Sequence, residues 1–138
     1  MIDHVSIAVR DLDVSTRFYE QVLGTIGFAK LKVEPTTVGF GKRYPEFWLN
    51  ERERTAGAND GAHVCLRARS TDAVDAFHTV ALRAGGSSDG APGLRPEYNA
   101  RYYAAFIRDL DGNKVEVVTF LAPDGEGSRA GADTNLGA

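Results

Sequence analysis

HVSIAVRDLDVSTRFYEQVLGTIG, residues 4–27, and HVCLRARSTDAVDAFHTVALRAGG, residues 63–86, carry the reading of the fold. Laid over one another at an offset of 59 residues they match without a gap at His4/His63, Val5/Val64, Arg10/Arg69, Asp13/Asp72, Phe18/Phe77, Leu23/Leu82 and Gly27/Gly86. A self-match of this kind marks two copies of one supersecondary unit. Each copy opens on an alternation, Val5, Ile7 and Val9 against His4, Ser6 and Ala8, then Val64, Leu66 and Ala68 against His63, Cys65 and Arg67. Alternation with period two is the signature of a strand with one buried face. Side-chain oxygens that can cap a helix follow, Asp13 or Ser15 in the first copy and Ser70, Thr71 or Asp72 in the second. Phe18, Val22 and Leu23, and Val74, Phe77, Ala81 and Leu82, then recur at helical spacing, and Gly27 and the Gly85-Gly86 pair supply stops.

Working outward, short extended segments follow each helix. The first copy has FAKLKVEP, TVGFGK and EFWLN; the second has a Pro/Gly-rich passage, YYAAFIRD and KVEVVTF, with Asp111-Gly112-Asn113 as a hairpin turn. The expected fold class is therefore α+β: two βαβββ modules forming a curved mixed sheet with the helices outside. The first module spans 1–50, a charged, glycine-bearing bridge 51–61, the second module 62–122, and a tail from 123 to 138 is poor in apolar residues and expected to be mobile.

Composition narrows the function classes. The chain has 138 residues, 43% hydrophobic and 25% charged, with 16 Lys plus Arg against 19 Asp plus Glu. A net charge of -3 offers no field for a phosphate backbone, so nucleic acid is not expected as a partner. The single cysteine, Cys65, has no internal partner, which fits a reducing cytoplasm. No apolar stretch approaches the roughly 20 residues that span a bilayer, and the N-terminus has no basic leader, so neither membrane nor export is expected.

Alternation also assigns candidate chemistry. If Val5 and Val64 pack under helices, His4 and His63 belong to the opposite face; in KVEVVTF, Glu116 lies opposite Val115 and Val117. Two imidazoles and a carboxylate suit a divalent transition metal and leave positions open for a substrate, although a lone strand histidine is more often a solvent-facing or satisfied residue.

The first copy, with Phe18-Tyr19 and Leu23-Gly24, the second copy, and AAFIRDLDGNKVEVV together resemble the vicinal oxygen chelate superfamily of glyoxalases, extradiol dioxygenases, and fosfomycin- and bleomycin-resistance proteins, over residues 1 to about 121. The resemblance implies a glyoxalase-like fold and one divalent metal ion (Zn, Ni, Fe, Mn or Co) held by His4, His63 and Glu116, with Glu116 also the catalytic residue. It further implies that Trp48 in PEFWLN stands where a glyoxalase I has a glutamate, which argues against that reaction itself. Glu46, two residues earlier, replaces that carboxylate only in a different register.

Trp48, Tyr103, Phe40, Arg101 and Cys65 are the expected pocket residues; Tyr98, Asn99, Arg101, Tyr102 and Tyr103 cluster ahead of a strand as a rim. His78 falls on a helix, and DLDGN reads as a turn. The expected function is a metal-dependent lyase, isomerase or dioxygenase acting on a small molecule through adjacent oxygens, in a homodimer. The alternative is a metal-free module that sequesters a drug-like or hydrophobic molecule.

Overall fold

A computed structural model of the chain describes residues 1–53 and 61–123. Most of the expected bridge and the tail beyond Pro123 lie outside the described residues. The elements run β1 (Val5–Val9), α1 (Leu12–Gly24), β2 (Ala29–Val33), β3 (Thr37–Gly41) and β4 (Phe47–Glu51) in the first module. The second has β5 (His63–Arg67), α2 (Thr71–Arg83), β6 (Ser87–Leu94), β7 (Tyr102–Arg108) and β8 (Lys114–Phe120). The strand, helix, three-strand unit thus occurs twice.

Each helix forms where the sequence spaces its apolar residues three and four apart. On α1, Phe18, Tyr19, Val22 and Leu23 are buried; on α2, Val74, Phe77 and Ala81 are. Burying a side chain of Leu or Phe size stabilises by about 1.5–3 kcal/mol, so these stripes fix both helices against their sheets. Ser70 caps α2 by accepting from the Ala73 amide, as expected, whereas α1 starts earlier than expected, capped by Asp11, which accepts from the Val14 amide. Leu12 is buried and has to sit in the first turn, which moves the cap back to the residue before it. Past α1, Gly27 takes a φ of 85°, the left-handed conformation that lets the chain reverse into β2.

Each module closes as a mixed sheet, with strand orders β1-β4-β3-β2 and β5-β8-β7-β6. The first and last strands of each module pair parallel, and the other pairs are antiparallel. The curved sheet is therefore built as two four-stranded sheets, with β1 and β5 each at an edge. The Pro/Gly-rich passage forms β6, whose register against β7 shifts twice, around Gly90. At that glycine a Cβ would meet the Phe106 ring at 2.9 Å, so only the absence of a side chain lets β6 lie against it.

The two modules share one core. A single apolar cluster joins Val9, Phe18, Tyr19 and Leu49 of the first to Val74, Phe77, Ile107 and Val115 of the second, with α1 packed on α2. The DLDGN segment does more than turn. Asp109, nearly buried, accepts from the Tyr19 hydroxyl at 2.7 Å, from the Asp111 and Asn113 amides at 2.9 and 2.8 Å, and from the Asn113 side chain at 2.9 Å. Asp111 accepts from the Arg10 amide, and Asn113 donates to the Ala8 carbonyl. A β7–β8 hairpin turn thus clasps the β1–α1 junction of the other module.

Candidate functional site

Alternation along the strands leaves one face of each sheet turned away from the helices, and parallel pairing sets what stands side by side there. In the second module the row reads Cys65 on β5, Glu116 on β8, Phe106 on β7 and Gly90 on β6. The equivalent row of the first module reads Ser6 on β1, Trp48 on β4, Gly39 on β3 and Lys32 on β2. Trp48 therefore occupies in the first module the register position that Glu116 holds in the second. Its ring lies over Gly39, where a Cβ would meet Trp48 atoms at 3.0 Å and Pro45 at 2.7 Å.

Glu116 is the buried acid of this face, 4% exposed. Its Oε1 stands 3.3 Å from Nε2 of His63, and its Oε2 accepts the hydroxyl of Tyr102 at 2.5 Å. Burial and then the bond to Glu116 push the Tyr102 phenol well above its ordinary range, so it stays protonated and donates. Cys65 Sγ lies 4.0 Å from the same hydroxyl. Although Cys65 is open to solvent, its thiol is pushed up to about 12, first by desolvation against the sheet and then by the Glu116 charge. It is a neutral thiol at physiological pH, with little thiolate to act as a nucleophile.

Beside these groups lies a small apolar floor of Ala104, Phe106 and Val118, flanked by Tyr102 and Phe120. Cations roof it: Lys114 and Arg95 at 5.0 and 5.5 Å from the Phe106 ring centre and Arg67 at 4.8 Å from that of Phe120. Their aliphatic stems exclude water from an otherwise bare face, while the charges interact with the ring faces.

His4 precedes β1, with its side chain 56% exposed and Nδ1 held 2.8 Å from Asp3. It shares a cavity of about 470 Å³ with Glu46, His63, Cys65 and Arg67. That volume is of the size that takes a small molecule. The structure thus brings His63 and Glu116 together and sets His4 on the cavity that His63 lines, while Glu116 stands behind His63 and is not one of the lining residues. Among the described residues no group of three or more His, Cys, Asp or Glu is gathered closely enough to hold a metal. Glu46 lines the cavity level with His4, since the Val5 amide bonds its carbonyl at 2.9 Å.

The remaining expected pocket residues divide. Cys65 lines the cavity, and Trp48 is half-buried on the open face. Phe40 is instead fully buried in the shared core, and Tyr103 turns to the helix side, where its hydroxyl donates to Asp75 at 2.7 Å. Both corrections come from strand parity: Phe40 is paired with Phe47, a core residue, and Tyr103 alternates with Ala105 and Ile107. Arg101 reaches the Leu121 carbonyl at 3.5 Å and ties the base of β7 to the end of β8. Tyr102 was legible only as part of a rim; its bond to Glu116 depends on a register the sequence does not display.

The fold and this face define a duplicated βαβββ protein with a cavity of small-molecule size bordered by imidazoles, carboxylates and a neutral thiol. The chain belongs to the Glyoxalase/Bleomycin resistance protein/Dioxygenase superfamily, whose family model matches residues 1–117. It is 29% identical over 124 residues to the virulence protein STM3117 of Salmonella typhimurium, covering 87% of this chain and 84% of that protein. It is similar to a glyoxalase/bleomycin resistance protein from Albidiferax ferrireducens T118, at 30% identity and a TM-score of 0.75, with 84% of this chain and 96% of that one covered. The fold also matches a fosfomycin resistance protein, FosX, of Listeria monocytogenes, solved with Mn(II) and 1S,2S-dihydroxypropylphosphonic acid, at 12% identity and a TM-score of 0.67, covering 99% and 97% of the two chains. No helix among the described residues is long and apolar enough to cross a membrane.

Proposed function

We propose that this chain is a divalent-metal-dependent enzyme of the glyoxalase/dioxygenase type, a lyase, isomerase or dioxygenase acting on a small molecule that presents two adjacent oxygens. The observation that carries the reading is the His63–Glu116 pair, an imidazole nitrogen and a buried carboxylate oxygen 3.3 Å apart. Two donors bound at about 2.1 Å to one tetrahedral centre stand about 3.4 Å from each other, so the pair suits a shared metal. His4, on the cavity that His63 lines, is the third donor in this reading. When bound, the metal supplies a Lewis acid for the substrate oxygens. The residues do the rest: His63 and Glu116 orient the site, the apolar floor excludes water, and Glu116 is the base able to hold a substrate proton at a carboxylate oxygen. Trp48, in the register position of a fourth carboxylate, argues for a reaction other than that of glyoxalase I.

The test is metal analysis of protein purified without chelator, alongside His4→Ala, His63→Ala and Glu116→Gln. About one equivalent of Zn, Ni, Fe, Mn or Co in the unaltered chain, lost in the variants, is expected. Absence of any such metal, with variants that fold and bind small molecules unchanged, refutes it.

A second reading, a metal-free module that sequesters a drug-like or hydrophobic molecule, is favoured by Trp48 on its bare Gly39 bed and by the lack of a three-donor cluster among the described residues. Small-molecule binding that withstands chelator supports it. We further propose a cytoplasmic homodimer, in keeping with the unpaired Cys65 and with the partly buried apolar residues Val5, Ile7, Val64 and Leu66 on the edge strands β1 and β5. Sedimentation at monomer mass counts against the dimer.

A further inference from the structure

We propose that Tyr102 is the positioning residue of Glu116, holding one carboxylate oxygen so that only the other is presented toward His63; this rests on the metal reading above. The geometry is specific. Tyr102 on β7 pairs with Phe120 on β8, whereas Glu116 pairs with Phe106, so the two are offset by four residues along β8. The phenol reaches diagonally across the sheet past Val118, and its hydroxyl donates to Oε2 at 2.5 Å. A shorter side chain at this position does not make that reach.

The ring is itself fixed, edge-on to Phe120 with centres 5.4 Å apart and edge-on to Tyr98 at 5.2 Å. Glu116 is thus pinned from two strands: β7 through Oε2, and β5 through His63, which stands 3.3 Å from Oε1. With Oε2 engaged by the phenol, Oε1 is the oxygen offered beside the imidazole. Partners of this kind set the orientation and basicity of a metal-binding carboxylate, and their removal typically lowers affinity by 10–100-fold.

Y102F tests this, because it removes the hydroxyl and keeps the ring between Phe120 and Tyr98. Mn(II) binding is measured by calorimetry and the Co(II)-loaded protein by visible absorption, with Y98F as the control whose ring packs on Tyr102 without touching Glu116. Y102F is expected to bind Mn(II) about 10–100-fold more weakly and to shift the Co(II) bands, with thermal unfolding close to that of Y98F. Y98F is expected to match the unaltered chain in affinity and spectrum. Y102F with affinity equal to or tighter than the unaltered chain, or with unchanged Co(II) bands, overturns the positioning role alone. Failure of the unaltered chain to bind either ion overturns the metal reading, and this inference with it.

Discussion

Removing the carboxylate of Asp109 is expected to cost more stability than removing any other surface-proximal acid, because that one side chain joins the two modules. It accepts four hydrogen bonds, from Tyr19 Oη, Asn113 Nδ2 and two backbone amides, at 2.7–2.9 Å, and is 6% exposed. A hydrogen bond to a charged group contributes about 1.5–3 kcal/mol, and a buried donor stranded without a partner costs about 1–3 kcal/mol. The four bonds share one acceptor and are not additive; the stranded Tyr19 hydroxyl, on a residue with no exposed surface, dominates. Asp109→Ala is therefore expected to lose about 3–5 kcal/mol. With a urea slope of about 2 kcal/mol/M, the midpoint falls by about 2 M. Tyr19→Phe, which removes a single bond and leaves three on the carboxylate, is expected to lose about 1–2 kcal/mol. In a cycle with Asp109→Ala, the second change should then cost little. An Asp109→Ala midpoint within about 0.3 M of the unaltered chain, or full additivity of the two changes, would refute the clasp as a coupled unit.

Three further outcomes follow from other contacts. Gly39→Ala puts a Cβ 2.7 Å from Pro45 and 3.0 Å from the Trp48 ring, so a loss of about 1–3 kcal/mol and a red-shifted tryptophan emission are expected; unchanged emission refutes the packing. The Cys65 thiol, pushed up to about 12, should react with iodoacetamide more than about a hundredfold slower than a free cysteine at pH 8, with the rate still climbing at pH 10; a plateau near pH 9 refutes it. Burial holds the His78 imidazole below its ordinary range, so the unfolded chain takes up its proton first as pH falls through about 6.5, and stability is lost on the acid side. His78→Gln should flatten urea stability between pH 7.5 and 5.5, and an unaltered slope refutes that.

The module order was legible in the sequence because periodicity is local: a strand alternates and a helix repeats at 3.6 whatever it packs on. The offset of 59 residues added the long-range fact that His4 and His63 are equivalent, whereas the family resemblance, not that offset, put Trp48 where a second carboxylate was expected. Pairing is where the sequence falls silent. Tyr103 and Tyr102 are adjacent aromatics of equal propensity, and only parity against the core decides that one faces Asp75 and the other Glu116. Phe40 went to the core for the same reason. The role of DLDGN was hidden because its partners, Ala8, Arg10 and Tyr19, lie about 90–105 residues away along the chain. Proximity of that kind is a property of the packed modules rather than of any segment.

One copy sets a tryptophan beside a glycine on the neighbouring strand, and the other sets a glutamate beside a phenylalanine. The bulky ring has in effect hopped one strand sideways between the copies. Each half has its row filled, and only one carries an acid there. Such compensation is visible in pairs of positions and invisible in either alone. An attempt to restore symmetry by writing a carboxylate at residue 48 would therefore leave a void over Gly39 unless the ring were returned to its neighbour at the same time.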